Sequence, residues 1–382
     1  MDDTTNETLK AWRRHLHAHP ELGYEEKATS DFVAQKLASF GLSVHRGLGG
    51  TGVVGTLSRG EGRAIALRAD MDALPIEEMT NLEYRSKTSG VMHACGHDGH
   101  MTMLLGAAQA LAASDKVTGT VHFVFQPAEE TGGGGRKMVE DGLFKEFPVD
   151  AVYGAHNWPG LPFGAVAVRP GPVMAASDMF EITIEGKGMH AGMPNLGVDA
   201  IVIAGEILGA LQLIASRNTH PADASTVSVT QIHAGDSWNA VPQTVVLRGT
   251  ARSFRAETRK MIEARMKQIA NGIAAAHGAR AEVDFRRGYP ATVNDAEAAA
   301  FVTGVAMEEV GADKVLTGEL PSMGTEDFAY MLEAEKGCYF WLGAGPAEHG
   351  HILHNAGYDF NDDLIPVGVD FWVKLAEASF AR

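Results

Sequence analysis

The alternation of apolar and polar positions divides the chain into three stretches. In the first, amphipathic runs at Thr8 to Ala18 and Lys27 to Ser39 predict helices, and short apolar runs near Gly52 to Leu57 and Ala64 to Ala69 predict strands. Further strands end at Phe125 and Ala155. A helix from about Met101 to Ala113 separates two of them, and Gly142 closes a short helix that begins after the glycine run 132–135. Such alternation predicts an α/β sheet with helices on both faces.

From Ser177 the pattern changes. A strand (Asp178 to Glu185), a long helix (Val198 to Ser216), two strands (Thr226 to His233, Thr244 to Phe254), a second helix (Glu257 to His277) and a strand (Arg280 to Arg287) follow one another. This is the order of a ferredoxin-like α+β unit. After Tyr289-Pro290 the first pattern resumes, with helices near Glu297 to Val310 and Glu326 to Leu332, a strand at Cys338 to Leu342 and a terminal helix from about Ile365 to Phe380. The expected organisation is a mixed α/β domain in two pieces, 1–177 and 291–382, with a smaller domain, 178–290, inserted between them.

The length of 382 residues agrees with two domains. With 32 Lys plus Arg against 48 Asp plus Glu the formal charge is −16, which repels nucleic-acid phosphates and anionic lipid surfaces. No run reaches the roughly 20 consecutive apolar residues of a bilayer span; the stretch near Ile201 to Ile214 is interrupted by Glu206 and Gln212. Met1 to Lys10 lacks the basic start and apolar core of a secretory signal. Only two cysteines, Cys95 and Cys338, are present. Together these features lead to the expectation of a soluble cytoplasmic protein with reduced thiols.

Candidate chemistry collects at predicted strand ends. Asp70-Met71-Asp72 follows one strand, Glu129-Glu130 another, His156 ends a third, and the loop containing His354 follows a fourth. In open α/β sheets, sites form beyond the carboxyl ends of strands. The segment Met92 to His100 (Met-His-Ala-Cys-Gly-His-Asp-Gly-His) opens a helix. There a thiolate at Cys95 and an imidazole at His97 can turn toward one ion pair, and the helix N-terminus is expected to lower the thiol pKa. Two adjacent carboxylates repel unless a cation stands between them. One can then coordinate while its neighbour takes a proton from an activated water.

These segments resemble the M20 metallopeptidase family, in its aminoacylase and hippurate-hydrolase branch. The matching stretches are Leu67 to Pro75, Met92 to His100, Gln126-Pro127-Ala128-Glu129-Glu130, Gly154-Ala155-His156-Asn157 and Leu353-His354-Asn355. In the inserted part, Gly186 to Ala191 and Trp238-Asn239-Ala240-Val241-Pro242 match as well.

The resemblance implies a zinc-peptidase-like catalytic domain with an inserted lid and dimerisation domain, and two divalent ions, zinc or manganese before cobalt or nickel. Cys95 bridges them, with His97 and His156 on one ion and Glu130 and His354 on the other. Glu129 is the implied general base, generating a metal-bridged hydroxide that attacks the amide of an N-acyl amino acid. Asp72 and Asp98 would steady ligand imidazoles. His190 would polarise the carbonyl, often from a neighbouring subunit, with Asn239 and Arg255 binding the oxyanion and the substrate carboxylate. A homodimer or homotetramer is implied too.

Several features carry blander readings. His15 and His19 share a helix face, but Pro20 ends that helix, which suits a packed rim better than a metal site. His349 and His351 read as bystanders of His354. The glycine run 132–135 lacks the ending of a phosphate loop. Cys338 reads as core. Glu326-Asp327-Phe328 resembles a family segment near the site, with no role assigned. Competing functions are a dipeptidase or exopeptidase of the same family, a thiol hydrolase using Cys95 with His97 or His100, and a non-catalytic metal-binding protein.

Overall fold

Four central strands set the architecture. In the computed structural model, which describes residues 2–347 and 352–381, strands Thr120–Gln126, Ala64–Asp70, Ala151–Trp158 and Gly337–Gly343 lie side by side and parallel. Almost every position in them is buried. A strand covered on both faces needs apolar residues on both, and this is why the four read as continuous apolar runs.

Antiparallel strands Ser43–Arg46 and Val53–Ser58 extend the sheet at one side, and the two-residue strands Val166–Ala167 and Val315–Leu316 at the other, making eight strands. Ser43–Arg46 is a half-exposed edge with a polar sequence, so its pattern carried no strand signal. Helix His97–Ala113 packs against the sheet and against helices Asp3–Ala18 and Leu364–Phe380. The fold is the mixed α/β class expected.

The chain divides into two compact units, one of residues 1–173, 293–320 and 326–382, the other of 174–292 and 321–325. The second unit holds a four-stranded antiparallel sheet in the order Ser225–Ala234, Thr244–Ser253, Ala176–Glu185, Arg280–Arg287. Helices Ala200–Leu213 and Ala256–Ala276 supply the other layer. Their inward residues recur at helical spacing: Ile203, Ile207 and Leu211 on one, Ile262, Met266, Ala270 and Ala274 on the other. Residues 321–325 join this unit through Ala175, whose amide approaches the carbonyls of Ser322 (3.1 Å) and Gly324 (2.9 Å).

The helical run Ala200–Asn218, 19 residues, is long and apolar enough to cross a membrane by length and composition. The interruptions at Glu206 and Gln212 are too few to exclude it on that ground. Its inward face nevertheless belongs to the core of the second unit, where Ile203, Ile207 and Leu211 meet the sheet residues Ile182, Ile184 and Leu247.

Candidate metal centre

Beyond the carboxyl ends of the four parallel strands the chain brings together Cys95, His97, Glu129, Glu130, His156 and His354. Donor atoms of Cys95, His97 and His156 lie within 4.8 Å of one another, as do those of Cys95, Glu130 and His354, and those of His97, Glu129 and Glu130. Cys95 belongs to two of these groups. Its sulfur stands 3.3 Å from His156 Nε2, while His354 Nε2 is 3.1 Å and His97 Nε2 3.9 Å from Glu130 Oε1.

Local backbone makes this convergence possible. Gly96, at φ +94°, caps the helix that starts at His97; a Cβ there would come within 2.5 Å of Asn157 Oδ1 and 2.8 Å of the Tyr358 hydroxyl. Ala128 (φ 51°) and His354 (φ 63°) are two of the three non-glycine residues with positive φ among those described. The Ala128 turn is held by Glu26, whose Oε1 accepts from the Ala128 amide at 2.9 Å and whose Oε2 accepts from Thr51 Oγ1 at 2.7 Å. Strain thus collects where Glu129, Glu130 and His354 are aimed.

The ring nitrogens of two histidines are sorted by second contacts. His97 Nδ1 donates to the Asp72 carbonyl at 2.8 Å, and His156 Nδ1 to the Asn157 carbonyl at 2.7 Å. Each ring therefore turns Nε2 inward, the orientation a metal ligand needs. His97 Nε2 is buried without a hydrogen bond, and Glu130 Oε1 is met by His354 Nε2 at 3.1 Å. Buried polar atoms are nearly always satisfied, so an unsatisfied one aimed at a space shared with other donors fits a cation.

Electrostatics supports that fit. Burial pushes the Cys95 thiol well above its ordinary pKa, and Glu130, Glu129 and Asp70 push it further. The expected lowering by the helix N-terminus is therefore overridden: a terminal dipole contributes up to about 2 kcal/mol, less than desolvation beside three carboxylates costs. A thiolate here requires a cation. Burial alone would lower the His97 pKa, but Asp70, Asp72 and Glu130 raise it to about 10. His156 is held well below its usual value, by burial and then by His100. Glu129 is raised well above the carboxylate range, by burial first and then by Glu326, Glu130 and Asp327.

The two supporting aspartates behave differently. Asp72 steadies His97 through its carbonyl, and its Oδ2 accepts from the Glu130 amide at 3.0 Å. Asp98 holds no candidate ligand imidazole, contrary to expectation. One helical residue on from His97, its side chain is turned by roughly 100°. Its Oδ2 meets Arg13 Nε (3.0 Å) and His17 Nδ1 (2.8 Å) instead.

Residues missed by the sequence argument complete the surroundings. Asp70 Oδ1 lies 2.6 Å from His100 Nδ1, and His100 Nε2 lies 2.6 Å from Asn157 Oδ1. Asn157 Nδ2 in turn donates to the Tyr358 hydroxyl at 2.7 Å. Arg68, fully buried, reaches Gln126 (2.8 Å), Asp70 (2.9 Å), Glu326 (2.9 Å) and Asp327 (3.3 Å). The Asp327 amide donates to Glu129 Oε1 at 3.4 Å. Glu326 and Asp327 precede the helix Ala329–Ala334 rather than opening it, and both are buried. An arginine in an otherwise apolar strand was the available signal, since such a charge needs partners.

In the second unit, His190 and Asn239 are neighbours. Met189–His190 pairs with Ala240–Val241, and the Ala191 amide donates to the Asn239 carbonyl at 2.9 Å. The exposed His190 ring accepts from the Gly192 amide at Nδ1 (3.0 Å). Arg255 follows Ser253, which pairs with Ala176 at the opposite end of the ten-residue strand Ala176–Glu185, roughly 30 Å away. It is exposed, with Nε 3.9 Å from Asp223 Oδ1.

His349 and His351 lie outside the described residues. The rings of His15 and His19 lie 4.6 Å apart, tilted by 40°, but His19 Nδ1 bonds the His15 carbonyl, and no third donor joins them in a metal-type group among the described residues. Cys338 is fully buried in its strand.

Residues 66–378 match the model of peptidase family M20/M25/M40. The chain is 41% identical over 368 residues to a hippurate hydrolase of Campylobacter jejuni, spanning 95% of this chain and 94% of that protein. It is also 41% identical over 365 residues to an N-acetyl-L-cysteine deacetylase of Bacillus subtilis, spanning 95% and 86%. Among solved structures, a dinuclear metal-binding peptidase of the M20 family from Bacillus subtilis superimposes with a TM-score of 0.87 at 35% identity, covering 100% of this chain and 99% of that one.

Proposed function

The chain belongs to the M20/M25/M40 peptidase family and is an amidohydrolase, and from that premise we propose that it hydrolyses N-acyl amino acids, of hippurate-like, N-acetyl or aromatic-acyl type, to an amino acid and a carboxylic acid. The observation that carries this reading is the donor set in which Cys95 is shared between a His97/His156 group and a Glu130/His354 group. One thiolate, three imidazoles and a carboxylate suit zinc, with manganese next and cobalt or nickel also accommodated.

Two ions bound there would act as Lewis acids on the scissile carbonyl and on water. Glu129 takes the proton from the attacking water and returns it to the leaving amine. A base with this double task must titrate near working pH, and burial beside Glu326, Glu130 and Asp327 moves Glu129 in that direction. Asp72 and Asn157 keep His97 and His156 turned inward, while Arg68 anchors the loop whose Asp327 amide steadies Glu129.

His190 polarises the substrate carbonyl, Asn239 binds beside it, and Arg255 takes the substrate carboxylate through its two-pronged guanidinium. Within one copy, His190 and Asn239 lie beyond one end of the four-stranded sheet and Arg255 beyond the other. The reading therefore includes a homodimer, or a homotetramer built from it, in which the inserted unit of one copy serves the substrate of another. Both cysteines are unpaired thiols, in keeping with a reducing, cytoplasmic setting.

The test is release of free amino acid from a panel of N-acetyl, N-benzoyl and indole-acetyl amino acids and dipeptides, using chelated and metal-restored protein. Metal-dependent release from acyl amino acids supports the proposal. Release from dipeptides alone favours the peptidase reading, and metal-independent release that iodoacetamide abolishes favours a thiol hydrolase.

A further inference from the structure

The parallel pairing of Ala151–Trp158 with Gly337–Gly343 sets His156 opposite Trp341 and Trp158 opposite Gly343. Residues two apart on a strand share a face, so His156 and Trp158 rise together, and the indole of Trp341 rises beside them. The Trp158 ring stacks on the Trp341 ring with centroids 4.1 Å apart and planes 19° from parallel. Its edge meets the His156 ring at 6.1 Å and 74°.

Trp341 is the covered member of the pair, 4% exposed, and its Nε1 has no hydrogen-bond partner. Trp158 lies over it and is itself only partly buried. The backbone beneath is firmly held: the Trp158 carbonyl accepts from the Ala344 amide at 3.1 Å, and the Gly160 amide donates to the Gly345 carbonyl at 2.8 Å. An indole in this position costs little to order when a ligand arrives.

A tryptophan buried for packing usually pairs its indole N–H. Here one ring stays partly open, one N–H is left over, and the open ring stands two residues from a candidate metal ligand. We propose that Trp158, backed by Trp341, forms the acyl subsite and takes a planar aromatic acyl group by ring stacking. The proposal rests on the acyl-amino acid reading above and narrows it to aromatic acyl groups. An acetyl group has no ring face to offer and gains little from this platform.

The experiment compares wild type, Trp158→Phe and Trp158→Leu as metal-loaded protein on N-benzoylglycine and N-acetylglycine. The benzoyl-to-acetyl ratio of kcat/KM is expected to fall at least about tenfold in Trp158→Leu, mainly through KM, and to be largely kept in Trp158→Phe. An unchanged ratio, with both substrates losing equally, overturns the subsite and leaves a structural role.

Calorimetric titration with sodium benzoate separates this proposal from the reaction itself. Weaker binding to Trp158→Leu than to wild type supports the subsite even if neither amide is cleaved, in which case the reaction reading alone has failed. Equal benzoate affinity, or no binding to either protein, overturns the subsite even if wild type cleaves both amides.

Discussion

The sulfur of Cys95 stands 3.3 Å from Nε2 of His156, and the carbonyl after the histidine fixes that nitrogen as the one facing the thiol. Burial and three carboxylates keep the thiol protonated unless a cation intervenes. These surroundings favour the proposed metal-binding role of the pair over that of a nucleophile and its base. A nucleophilic pair needs a thiolate favoured by its surroundings, and these surroundings oppose it.

Removing the shared donor tests this directly. Cys95→Ala is expected to lose at least half of the bound metal after dialysis, measured by mass spectrometry. Cys95→Asp should recover metal content, because a carboxylate can also span two ions. Full metal occupancy in Cys95→Ala would remove Cys95 from the donor set.

Glu129→Gln should keep its metal and fold while kcat falls by about 10² to 10⁴, the usual contribution of a positioned acid-base group. Steady-state rates on the best substrate, with metal content measured on the same sample, check this. Activity within a few fold of wild type would leave the base unassigned.

Gly96→Ala is expected to disrupt both stability and metal binding. Its added Cβ meets the Asn157 carboxamide and the Tyr358 hydroxyl, and alanine resists the positive φ. Those two side chains border His156 and Cys95. An alanine variant with unchanged melting temperature and metal content would show that the turn relaxes freely.

Arg68→Met should destabilise the protein by about 3 to 5 kcal/mol, because Asp70, Glu326 and Asp327 lose a shared buried cation. Arg68→Lys should recover only part of this, since an ammonium cannot span so many acceptors. Denaturant titration of both variants is the check; a loss under about 1 kcal/mol would mean that other groups neutralise the cluster.

The pH dependence of stability should carry the signature of His17. Burial works to lower its pKa, but hydrogen bonds to Asp98 and Glu78 prevail and raise it to about 9, against an ordinary 6.5. A raised histidine contributes stability that is complete below pH 6.5 and is lost as pH climbs through 9, here up to about 3 kcal/mol. Guanidinium midpoints should fall over that window in wild type and much less in His17→Gln. Parallel slopes in the two proteins would refute the assignment.

What the sequence by itself determined was the class of fold and the kind of chemistry. Continuous apolar runs such as Ala64–Asp70 and Gly337–Gly343 announce doubly covered parallel strands. Their carboxyl ends then lead into Asp72, Glu129, Glu130, His156 and His354. The strand and helix order of the inserted part was equally plain, because its helices and strands keep clean periods. Tertiary structure decided the rest, through the direction of each side chain and contacts between distant segments. It turned Asp98 away from the candidate ligands toward Arg13 and His17, and placed His100 between Asp70 and Asn157. It raised the Cys95 thiol where a helix terminus alone would lower it, and gathered Glu326 and Asp327 onto Arg68 beside Glu129. Residue types and local period reveal which groups a strand can present; which partner each group meets, and in what charge state, depends on segments hundreds of residues away.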